Sequence, residues 1–344
     1  MAISARCYVL LTLGVAGALV GAVGLFNYVV DPYDLFGHNR LGIYITAERE
    51  FKSSEVGRYP HNALLVGNSR MAMIPVKGLD HFQFFNAAFG GGTAEEVYYF
   101  LDHFAKNQDL VILGIDLGQG DPVPPQGDSF KPPGITDILN NLLNLRTVEY
   151  SVRTISSHLR GIPTSLRPDG SFDATPWFER WDRPDPTHMN FVLYQMKGGF
   201  VKYPGPAKQP LAFYHKIADC LRQRGITCVA VVPPMHEEAA KRVQSSPAAA
   251  YYDDWRRKLA SVFPLVVDLS FSPYSAATNF FQSDPVHFKP DVGVRMLNTE
   301  VIPVAIKARE KPENRLAVDQ PTAPSMASAG SNSQPSAAQS IRPP

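Results

Sequence analysis

Leu64-Leu65-Val66-Gly67-Asn68-Ser69-Arg70 runs an apolar strand straight into a glycine turn that presents one serine. The strand, Ala63–Val66, is short and lacks the polar alternation of a half-exposed strand. That is the pattern of a strand buried on both faces. Similar runs recur at residues 83–86, 110–115, 227–232 and 265–269. Helical periods separate several of them. Thr93-Ala94-Glu95-Glu96 has capping-box spacing and leads into Val97, Phe100, Leu101 and Phe104 on one face. Tyr214, Ile217, Ala218 and Leu221 repeat the period before Arg222, Arg224 and Gly225 stop it. Tyr252, Trp255, Leu259 and Val262 form a third face. Pro290 suits the first turn of a last helix carrying Val294, Leu297 and Val301. Strands alternating with helices predict a three-layer α/β/α fold around a mostly parallel, flavodoxin-like sheet.

The remaining segments frame that domain. Residues 8–30 are uncharged, with Thr12 and Asn27 the notable polar positions. At about 1.5 Å per residue they can cross a bilayer of roughly 30 Å. A cleaved signal peptide is the alternative, with Arg6 as its charged start and Ala16-Gly17-Ala18 as a cleavage site. The apolar run continues well past Ala18, which favours an uncleaved signal anchor. Arg6 before the run, and Asp31 and Asp34 after it, favour a cytoplasmic N-terminus with the bulk outside. Residues 1–30 are therefore stub and anchor, 31–61 a connector, and 62–308 the α/β/α domain.

An insertion at 118–210 interrupts the alternation. It opens on Pro122, Pro124, Pro125, Pro132 and Pro133, continues through a helix from Thr136 to about His158, and reaches a loop-rich part with Trp177 and Trp181. It reads as a cover over the carboxyl edge of the sheet, either a lid or substrate wall or a purely structural flap. Residues 309–344 are rich in Pro, Ser, Ala and Gln and read as a disordered tail. The formal net charge of the 344 residues is +1 with no long basic run, so nucleic-acid binding has no electrostatic support. Cys7 sits at the membrane edge, while Cys220 and Cys228 could pair in an oxidising compartment or stand as buried thiols. No metal-binding spacing, His-Glu-x-x-His or phosphate-cradling Gly-x-Gly-x-x-Gly is present, so neither a metal nor an organic cofactor is expected.

Ligands on open parallel sheets bind at the carboxyl ends of strands, and the chemistry-bearing residues collect at such ends. Ser69 follows the first strand, Gly90-Gly91-Gly92 the second and Asp116 the third, while Asp284 and His287 precede the last helix. Ser69 is the candidate nucleophile, His287 its base and Asp284 the carboxylate that orients the imidazole. The backbone N–H groups of Ser69 and of the glycine turn, Gly90 and Gly91 foremost, are candidate oxyanion donors. His236, in Pro233-Pro234-Met235-His236, is either a substrate contact at the end of the fourth strand or part of a surface loop. The Gly-x-Ser-x-Gly elbow is absent, against an α/β-hydrolase fold.

Gly67-Asn68-Ser69-Arg70, Asn86-Ala87-Ala88-Phe89-Gly90 and Asp284-Pro285-Val286-His287, in that order, resemble the blocks of the SGNH (GDSL-like) hydrolase superfamily. More narrowly, the chain is similar to membrane-anchored members that accompany polysaccharide export and O-acetylation in bacteria. The resemblance implies an esterase or O-acyltransferase in the cytoplasmic membrane with its catalytic domain in the periplasm. Its acyl group would be acetyl, its substrate a surface polysaccharide, and its partner a membrane acyltransferase. Two positions depart from the pattern. Asn68 stands where Asp is common. Gly114-Ile115-Asp116 puts a carboxylate where an Asn donor is usual. An ionised Asp116 cannot donate; it must be protonated, turn away or act through its backbone, with Gln119 a substitute donor. That departure leaves a catalytically inactive carbohydrate-binding or assembly protein as the alternative.

Overall fold

The computed structural model describes residues 4–44, 48–116, 127–130, 134–162, 164–173, 175, 181–202 and 208–310. Strands β1 (Ala63–Val66), β2 (Phe84–Asn86), β3 (Leu110–Gly114), β4 (Thr227–Val232) and β5 (Val266–Asp268) form one parallel sheet in the order β2-β1-β3-β4-β5. This is the flavodoxin-like order. The sheet reverses direction of growth between β1 and β3, which places a crevice at their carboxyl ends.

Alternate residues of each strand feed two cores. Leu64, Val66, Val111, Leu113 and Ala230 face one way, onto Val97, Phe100 and Leu101 of Ala94–Phe104 and onto Ile217, Leu221, Trp255 and Leu259. Ala63, Leu65, Leu110, Ile112 and Val229 face the other way, onto Met71, Ile74, Val292, Met296 and Val301. The capping box forms as expected: Thr93 Oγ1 accepts from the Glu96 N–H at 3.2 Å, and Glu96 Oε2 from the Thr93 N–H at 3.1 Å. Cys220 and Cys228 are both free thiols, and burial pushes Cys228 up to about 12.

The helix Ala5–Val30 is long and apolar enough to cross a membrane, with a mean hydropathy of 2.3 over its best window. Asp31 closes it in the left-handed region at φ 47°. The connector is an integral part of the fold. Its helix Glu48–Glu55 buries Phe51 and Lys52, and Arg58 pairs with Asp34 at 2.5 Å.

The insertion differs most from expectation. The single helix predicted from Thr136 to about His158 is two, Ile135–Leu143 and Leu145–Leu159. Between them Asn144 is extended (ψ 135°), and its side chain caps the second helix through the Arg146 N–H. Asn competes with helix continuation by bonding nearby backbone, which explains the break. Both helices pack along Ala5–Val30, with Asn27 bonded to the Leu142 carbonyl at 2.7 Å and accepting from Ser151 Oγ at 2.9 Å. Residues 164–173 cover the β2 edge instead, where the Asp169 carbonyl accepts from the Asn86 N–H at 2.8 Å. From the insertion, Trp181 reaches the His287 ring. The expected cover thus has three separate jobs. The proline-rich opening, Gln119, Trp177 and the tail beyond Glu310 lie outside the described residues.

Candidate active site

The turn after β1 sets the position of Ser69. Gly67 adopts φ +141°, and a Cβ there would sit 2.9 Å from the Gly114 carbonyl oxygen, so only glycine fits. Asn68 then caps a short helix, Ser69–Ala72, by accepting from the Arg70 N–H at 3.1 Å. Ser69 therefore starts the helix, where its own N–H has no intrahelical partner. Buried Asn86 staples this helix to the glycine turn. Its Nδ2 lies 3.0–3.2 Å from the carbonyls of Met71, Ala72 and Ile74, and its Oδ1 accepts from the Ala88 N–H.

Asp284 and His287 arrive on β7 (Asp284–Phe288), which pairs antiparallel with β6 (Phe280–Phe281). His287 Nε2 lies 2.9 Å from Ser69 Oγ, and His287 Nδ1 lies 2.7 Å from Asp284 Oδ2. Asp284 Oδ1 also accepts from the N–H of Val286 at 2.8 Å and of His287 at 3.3 Å. Burial alone would raise the Asp284 pKa. The His287 hydrogen bond and charge, with those backbone N–H groups, outweigh burial and hold it below the usual carboxylate value. An ionised Asp284 accepts a hydrogen bond from the Nδ1–H, which keeps the ring proton there and leaves Nε2 to receive the Ser69 hydroxyl proton.

Trp181 stacks on His287, with ring centroids 5.4 Å apart and planes 7° from parallel. Its carbonyl accepts from the N–H and Oγ of Ser283 at 2.9 and 2.8 Å, beside Asp284. Trp181→Ala is expected to lower kcat/KM on an aryl acetate about five- to tenfold by freeing the imidazole ring. Unchanged kinetics would make the stack incidental.

The oxyanion candidates separate. The Gly90 N–H is committed to Glu48 Oε2 at 2.5 Å, so this candidate is corrected: it binds the connector helix. Gly91, exposed at φ +65°, is the donor left from the pair named in the sequence. Gly92 holds the turn in place, because a Cβ there would meet the Gly67 carbonyl oxygen at 2.7 Å. Of the options open to Asp116, its side chain takes a position between Asn68 and Arg70. Its Oδ2 accepts from Asn68 Nδ2 at 3.3 Å and lies 3.7 Å from Arg70 Nη1. In that contact the side chain accepts, which turns it toward Asn68 and Arg70. His236 is neither on a surface loop nor open to substrate. It is buried, packs on Phe280, and caps Glu237–Gln244 by accepting from the Glu238 N–H at 3.2 Å. Burial lowers its pKa, so the neutral ring suits that accepting role.

Sequence reasoning missed the clamp beneath the glycine turn. Glu48, Arg49 and Lys52 share the connector helix and bind, in turn, the Gly90 N–H, the Gly90 carbonyl and the Ala88 carbonyl. No local signal marks a connector helix for this work, since its partners lie about forty positions downstream. Lys52 is fully buried, which pulls its pKa down to about 8 from an ordinary 10.5. Below that window the lysine is charged folded and unfolded. Within it, the unfolded chain keeps a proton that the folded chain has lost, so stability rises with pH, by about 3 kcal/mol across the window. Denaturant midpoints at both ends are expected to show that rise in the parent and to lose it in Lys52→Met. An equal rise in both would assign it elsewhere.

No protein-family model and no curated protein matches this chain. The functional reading therefore rests on the geometry above and on the short motifs.

Proposed function

We propose that this protein is a membrane-anchored serine esterase or O-acyltransferase. The unbroken hydrogen-bond chain from Asp284 through His287 to Ser69 is the observation that carries the reading. Ser69 Oγ attacks an acyl carbonyl while His287 Nε2 takes its proton. Negative charge on the carbonyl oxygen falls to the N–H groups of Ser69 and Gly91. Collapse of this adduct breaks the ester, and His287 returns its proton to the departing alcohol oxygen. The acyl-serine is then resolved by water, giving hydrolysis, or by a sugar hydroxyl, giving transfer.

The resemblance to SGNH hydrolases supports an acetyl group, a cell-surface polysaccharide acceptor and a membrane acyltransferase that supplies the donor. The Ala5–Val30 helix, with Arg6 in its first turn and Asp31 and Asp34 after it, supports a single span in the cytoplasmic membrane and a periplasmic domain. Full-length protein in detergent, treated with a fluorophosphonate probe, tests the chemistry. Labelling in the parent that vanishes in Ser69→Ala supports it, whereas no labelling of either protein sinks it.

Asp116 in place of an asparagine donor favours a second reading: a carbohydrate-binding or assembly protein on the same fold. It requires polysaccharide binding that survives Ser69→Ala with no esterase activity in the parent.

A further inference from the structure

Outside Ala5–Val30, an exposed apolar stripe lies on Ile135–Leu143 and just past its break. Ile135 is 79% exposed, Leu139 51%, Leu143 43% and Leu145 82%. The first three recur every fourth residue and so line one face. Monomeric soluble surfaces seldom leave such a row uncovered.

The C-terminal end of this helix fixes its depth. Leu143 packs on Gly24, and Asn27 bonds the Leu142 carbonyl at 2.7 Å. Ser151, on the following helix, also bonds Asn27 at 2.9 Å. Gly24 and Asn27 lie roughly 9 and 5 Å before the end of the Ala5–Val30 helix, at the rise of an α-helix. A spanning helix meets lipid headgroups at about that level. Within Ile135–Leu143 the charged residue is Asp137, and its Oδ2 is engaged by the Gly134 N–H at 2.9 Å. A short helix with one apolar face and a polar one (Thr136, Asp137, Asn140 and Asn141), held at the headgroup level, has the makings of an interfacial helix.

We propose that Ile135–Leu143 seats the domain on the lipid bilayer, with Ile135, Leu139, Leu143 and Leu145 entering the leaflet beside the chain's own span. This rests on the reading of Ala5–Val30 as a membrane span. Lipid is the occupant because the stripe is continuous with that span: Leu143, the last stripe residue on the helix, touches Gly24 of the span and is still 43% exposed. A domain on one tether would swing. A second lipid contact through the insertion fixes the rim bearing Ser69 at a set height and angle above the membrane.

The experiment uses the full chain with Cys7→Ser, reconstituted in phosphatidylcholine–phosphatidylglycerol vesicles. Leu139→Cys, Val15→Cys and Tyr251→Cys are labelled singly with an environment-sensitive fluorophore. The parent without an added cysteine reports background from Cys220 and Cys228. Lipid carrying a shallow acyl-chain nitroxide is expected to quench positions 139 and 15 about threefold or more and to leave position 251 unchanged. Quenching at 15 with water-like emission at 139 overturns the seat while the span stands. Loss of quenching at both overturns the span and the seat with it. Blue-shifted but unquenched emission at 139 assigns the stripe to a protein, either a second copy or a partner helix, and also overturns the proposal.

Discussion

Ser69→Ala is expected to lower acyl-ester turnover by roughly four to six orders of magnitude, leaving only what the oxyanion donors and binding supply. The loss is large because in the proposed reaction the hydroxyl is itself the attacking group. Its hydrogen bond to His287 Nε2 is the contact through which the proton leaves. The substitution removes one oxygen at the first residue of a capped helix, and the cap comes from Asn68 and not from Ser69. Helix and sheet therefore stay intact, and circular dichroism and thermal unfolding should match the parent. Steady-state hydrolysis of an aryl acetate measures the effect. A variant retaining more than about a tenth of parental kcat/KM would remove Ser69 from the chemistry.

Asp284→Asn should cost about 10⁴-fold in kcat with little change in fold. The reason is the tautomer. An ionised Asp284 accepts from His287 Nδ1 at 2.7 Å and leaves Nε2 free to accept from Ser69. An amide in its place can turn its NH₂ toward Nδ1, which moves the ring proton to Nε2, where it faces the serine and cannot take its proton. The same carboxylate links activity and stability to pH. Its folded pKa is depressed below the ordinary 3.8. The stabilisation from its bonds is thus complete above that ordinary value and fades as acid protonates the folded form. Unfolding at neutral pH and near pH 3 should show that loss in the parent and lack it in Asp284→Asn. Equal kcat in parent and variant would place Asp284 outside the mechanism.

Much of this was legible along the chain because the signals are local. Apolar runs short enough to be two-face-buried strands, the Thr93–Glu96 capping box, and the serine after Val66-Gly67 each depend on neighbours within a turn or so. Strand ends were less legible. The runs read at 83–86, 110–115 and 265–269 pair over Phe84–Asn86, Leu110–Gly114 and Val266–Asp268, because the register of a neighbouring strand sets where pairing stops. Asn144 could have warned of the helix break, but the preceding apolar period overrode it in the reading.

The chain alone determined the parallel α/β class and the membrane-capable helix, since these follow from periodicity and hydropathy, and it offered Ser69, Asp284 and His287 as candidates whose meeting across 218 positions only the fold decides. Tertiary structure decided what long-range contact alone can decide. His236 became a buried helix cap, Asp116 an acceptor beside Arg70, and Gly90 a ligand of Glu48, while Trp181 came to lie on the imidazole. A side chain's chemistry is a local property. Its partner, and so its protonation and its role, comes from whichever distant segment the fold brings within about 3 Å.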